Sequence, residues 1–87
     1  MTKMETCLMK NKMDIECREN AIASNRINLI EALRSLANHI ERDENRPIVS
    51  ADASWFNTYI ANIEEATKEL KALKEQKAML EFLAKED

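Results

Sequence analysis

The chain has 87 residues, 16 acidic against 13 basic for a net charge of −3, and no glycine. Phosphate-cradling loops of the Walker and dinucleotide-binding types require glycine and are excluded, and two-residue β-hairpin turns lose their favoured residue. The charge is too balanced for a DNA-binding field and too weak for a nucleic-acid mimic, and no apolar run approaches the roughly 18 residues that span a bilayer.

Residues 1–12 are rich in lysine and methionine with weak periodicity, and read as a flexible or partly helical arm. They contain no continuous apolar stretch of the kind a secretory signal needs, so a cytoplasmic location is expected. Cys7 and Cys17 read as free thiols of a reducing compartment. On one helix, ten positions separate them by about 15 Å along the axis, too far for a disulfide.

The first helix is expected over about 13–44. Asp14 and Glu16 suit its positive end, and Asp14 to Arg18 is a favourable i,i+4 pair. Its apolar stripe is Ile15, Ile22, Leu29, Leu33, Leu36 and Ile40. The segment Glu19 to Asn28, rich in Asn, Ser and Ala, interrupts good helix formers. It reads either as a solvated face with small residues or as a polar layer that fixes register in an oligomer or meets a partner. Asn45 is expected to take the left-handed cap conformation, and Pro47, the only proline, ends the element.

The loop falls at 45–50, where Ile48 and Val49 are expected to tuck against the end of the hairpin. The second helix is expected over about 51–85, capped by Ser50 or Asp52. It carries the best heptad: Phe56, Ile63 and Leu70 at one position, Tyr59, Ala66, Leu73 and Leu80 three residues later, with Lys77 interrupting the first series. Folding about Pro47 gives a register in which paired residue numbers sum to about 95, setting Leu33 against Ile63 and Ile22 against Leu73, with apolar meeting apolar at every level.

The expected fold is therefore all-α: an antiparallel helical hairpin of two long helices. One seam stabilises a chain of this size poorly, and nearly half the residues are hydrophobic. A homodimer, closed as a four-helix bundle or coiled coil, is the expected partner state.

Chemistry is sparse. His39 stands four residues before Asp43, but no nucleophile has a base beside it. With a single histidine there is no metal-ligating set. The reading is of a protein that is not an enzyme and has no cofactor, metal site or membrane role. Arg18, Arg26, Arg34 and Arg42 recur every eight residues and so spiral around the helix without forming a basic stripe.

What remains is surface. Arg42, Arg46 and Trp55 gather at the loop end as a candidate partner-binding tip, because tryptophan and arginine dominate interface hot spots. Trp55 reads as peripheral, covering Ile48 and Val49. Met79, Leu80, Phe82 and Leu83 span too wide an arc for one seam and read as a dimer or partner surface, or as covered by Leu8 and Met9. The functional expectation is a small protein-interaction module, an inhibitor, adaptor or regulator that binds an unidentified partner protein. Small helical chains without catalytic groups are often phage- or mobile-element-encoded effectors. The alternative is a small dimeric regulator that binds RNA. The expected architecture resembles the dimeric helical hairpins that regulate plasmid copy number, in architecture alone and without a sequence match.

Overall fold

Thr2 starts the first helix. Its Oγ1 accepts the Glu5 N–H at 3.1 Å, and its carbonyl accepts the Thr6 N–H at 3.1 Å. A threonine followed three residues later by glutamate is the sequence signature of a capping box. A computed structural model describes residues 2–86, the side chains of Ser50, Ala51 and Glu86 excepted. It consists of two long helices packed antiparallel as a hairpin, with no strand among the described residues. α1 is Lys3–Arg42 and α2 is Ser54–Glu86, joined by a connector containing a 3₁₀ turn at Ser50–Ala53. The rod measures 68 × 18 × 14 Å.

The expected arm is thus not an arm: residues 3–12 are the first turns of α1. Their periodicity is masked because Asn11 occupies an inward position where the heptad calls for an apolar residue. Asn11 is only 3% exposed.

At its other end α1 stops without a left-handed residue. No described residue has positive φ, so Asn45 does not supply the expected cap. Asp43 closes the helix in an extended conformation, its N–H donating to the His39 carbonyl at 3.1 Å. Its side-chain oxygen then accepts the Asn45 N–H at 3.2 Å, and its carbonyl accepts the Arg46 N–H at 3.1 Å. An Asp side chain that satisfies nearby backbone donors replaces the missing glycine.

Asp52 organises the connector. It accepts the Val49 N–H at 3.0 Å, reaching back across the 3₁₀ turn as the third residue of a capping box does. The Arg46 guanidinium donates to both of its carboxylate oxygens, at 2.6 and 3.4 Å. The other cap candidate, the Ser50 side chain, lies outside the described residues. Ile48 and Val49 do not tuck in; both are exposed.

Three side-chain contacts fix the register. Asn11 Nδ2 donates to Gln76 Oε1 at 3.0 Å, Arg18 Nε pairs with the Glu69 carboxylate, and Asn62 Nδ2 donates to Asn25 Oδ1 at 3.1 Å. In each the residue numbers sum to 87, so the register expected from a fold about Pro47 is wrong by about one heptad. The cause is the connector. α2 begins opposite residue 33, the last turns of α1 run on past it, and the chain returns beside them through residues 46–53. Sliding an antiparallel pair by seven residues keeps the same stripes in contact. For that reason apolar still meets apolar in the wrong register, and the hydrophobic pattern alone does not choose between the two.

The seam is thin. Ile15 and Ala66, at 8% and 6% exposure, are the buried apolar residues among those described. Tyr59, Leu73 and Leu80 of α2 are half-buried, as are Ile22, Leu29 and Leu36 of α1. Leu33, expected in the seam, is 49% exposed. It stands four residues after Leu29, one step around α1 from the contact line.

Candidate interaction surfaces

The inward edge of α1 carries Asn11, Arg18 and Asn25, seven residues apart. Gln76, Glu69 and Asn62 face them from α2 in the same repeat. Asn11 also donates to the Leu73 carbonyl at 3.0 Å, and Asn25 to the Ala21 carbonyl at 2.7 Å. Of the Asn-rich segment of α1, Asn25 joins these rungs inside the hairpin, while Glu19, Asn20, Ser24, Arg26 and Asn28 form a solvated face. Arg18 reaches across to Glu69 and does not form the expected pair with Asp14, so one of the four spaced arginines is engaged within the fold.

One rung further toward the connector, Ala32 faces Trp55. A small residue opposite a large one leaves an open groove, lined by Ala32, Ser35, Leu36 and His39 of α1 with Arg46, Asp52, Trp55 and Phe56. The structure thus brings Arg46 and Trp55 to one groove. Arg42 lies apart, in the adjoining depression on α1 with Glu31, Arg34 and His39. Trp55 is 65% exposed and does not cover Ile48 and Val49. Its ring stacks on Tyr59 one turn on, with centroids 6.5 Å apart and planes 28° apart.

Arg46 is held in place by Asp52. The guanidinium, and after it the Val49 N–H, keep the Asp52 carboxyl below its ordinary value of 3.8. This paired, half-buried guanidinium beside an exposed indole is polar and aromatic, suited to recognition by stacking and hydrogen bonding. His39 contributes one wall of the groove, and its backbone carbonyl closes α1.

At the far end Leu80 turns inward and is half-buried, while Met79, Phe82 and Leu83 remain exposed. Met9 is exposed as well and does not cover them. Three exposed apolar residues of α1 escaped the sequence reading: Met13, Ile27 and Ile30. Ile27 and Ile30 stand outside the heptad stripe, a sign that a second apolar face was present.

Cys7 and Cys17 are both on α1, free and exposed. Among the described residues, no three His, Cys, Asp or Glu side chains are placed to hold a metal ion. No helix there is long and apolar enough to cross a membrane. Comparison with known protein families, with curated proteins and with solved structures finds no match.

Proposed function

We propose that the chain is a cytoplasmic, non-catalytic protein-interaction module that acts as an inhibitor, adaptor or regulator by occupying a surface on a partner protein. The observation that carries this reading is the Trp55 groove. The indole is exposed yet oriented by its stack on Tyr59, and Arg46 beside it is fixed by Asp52. Aromatic and arginine side chains held in place before binding lose little entropy on contact, which is what an interface anchor needs. The exposed Met79, Phe82 and Leu83 offer a second apolar contact at the other end of the rod. The size of the chain suits an effector encoded by a phage or mobile element.

The test is affinity capture from the native host with the wild-type chain and Trp55→Ala in parallel, read by mass spectrometry. A protein retained by the wild type and lost with Trp55→Ala supports the reading. Retention of nucleic acid instead, with a steep salt dependence, or a set of proteins indifferent to Trp55→Ala, contradicts it.

A further inference from the structure

The two long flanks of the hairpin are not alike. One carries the polar rungs, whose side chains pair with each other across the seam. On the other flank α1 presents Leu33, with Arg26 and Glu19 at the preceding heptad positions, along the half-buried Phe56, Ile63 and Leu70 of the α2 seam. Ile30 and Ile60 stand one step further out. Leu33, Ile30 and Ile60 are each more than two-fifths exposed, and Phe56, Ile63 and Leu70 are only half-buried. The apolar character covers the connector half and gives way at the other end to Lys12 and to Lys77, which pairs with Glu81 at 3.9 Å. These residues belong to both helices, so the flank is a flat two-helix surface and not a single stripe.

The exposed area gives the size of what is missing. A compact monomer of 10.1 kDa exposes about 5,300 Å², and this rod exposes 7080 Å². An excess of roughly 1,800 Å² per chain is in the range that an obligate dimer buries. A second rod of the same length and the same flat flank fits that area.

We propose that a second copy of this chain covers the Ile30–Leu33–Ile60 flank, closing a four-helix bundle on a two-fold axis. The two rods run antiparallel, because a parallel pair would bring Lys12 of one copy against Lys12 of the other. The Trp55 groove lies on the opposite flank and stays open in the dimer. This inference does not depend on the proposed partner-binding role.

Sedimentation equilibrium of the full chain tests it, with the double variant Leu33→Glu/Ile60→Glu alongside. The wild type is a dimer, and the double variant is a helical monomer, since two carboxylates cannot be buried unpaired. If the double variant loses its circular-dichroism helicity, Ile60→Lys alone is read, and its dimer dissociation constant rises by about tenfold or more. A monomeric wild type, a higher oligomer, or a dimer that survives Leu33→Glu/Ile60→Glu or is unchanged by Ile60→Lys overturns the proposal.

Discussion

Arg18 on α1 pairs with Glu69 on α2, and an amide pair stands seven residues away on either side, Asn11 with Gln76 and Asn25 with Asn62. The hydrophobic stripes tolerate a slide by one heptad; these pairs do not. In the slid register Asn11 would face Leu83, and Asn25 would face Glu69. Polar contacts along the seam stabilise less than apolar packing does, but they distinguish one alignment from its neighbours.

Asn11 is the most buried polar side chain of this set, with two acceptors on α2. Asn11→Ala removes both bonds and is expected to cost about 1–3 kcal/mol. Urea unfolding followed by circular dichroism measures the change as a lower midpoint.

Ile15 and Met13 stand two residues apart on opposite sides of α1. Ile15 is buried and Met13 is 63% exposed. Ile15→Ala is expected to cost about 2–5 kcal/mol, and Met13→Ala to stay within about 0.5 kcal/mol of wild type. The same unfolding measurement separates them. Equal losses would show that the outward face of α1 is covered.

Asp52 gives the connector a pH dependence. Its folded-state pKa is lowered, so its contribution is full above the ordinary carboxylate value of 3.8 and is lost as pH falls through the lowered value. Asp52→Asn is therefore less stable than wild type at pH 7. The difference in Tm between the two shrinks as pH falls below about 4. A difference that grows on acidification would contradict this sign.

Trp55 is the only tryptophan, so its fluorescence reports on the groove alone. An indole 65% exposed is expected to emit at long wavelength and to be readily quenched by acrylamide. Because the groove lies away from the proposed dimer flank, Leu33→Glu/Ile60→Glu leaves that emission unchanged. A blue-shifted emission in the wild type would mean that the indole is buried.

The helical hairpin was legible from the absence of glycine, the single proline and the heptads of α2. The register was not, because Pro47 marks the middle of the connector and not the point about which the helices pair. The connector returns beside α1, held by Arg46 and Asp52, and that return moves the alignment by a heptad. The start of α1 was hidden by Asn11, a polar residue at a core position, although Thr2 and Glu5 carried a readable cap. Of the expected tip, Arg46 and Trp55 share a groove because Ala32 faces the indole. Arg42 lies apart in the adjoining depression on α1.

The polar rungs set the alignment of the two helices, and cross-linking tests them most directly. With Cys7 and Cys17 changed to serine, cysteines are introduced in pairs at positions 25 and 62, or 32 and 62, and bridged with a short bifunctional thiol reagent. Rapid intramolecular bridging is expected of 25 with 62, which face each other in this register, and little of 32 with 62, which face each other only after a one-heptad slide. The reverse preference, or equal bridging of both pairs, would contradict it.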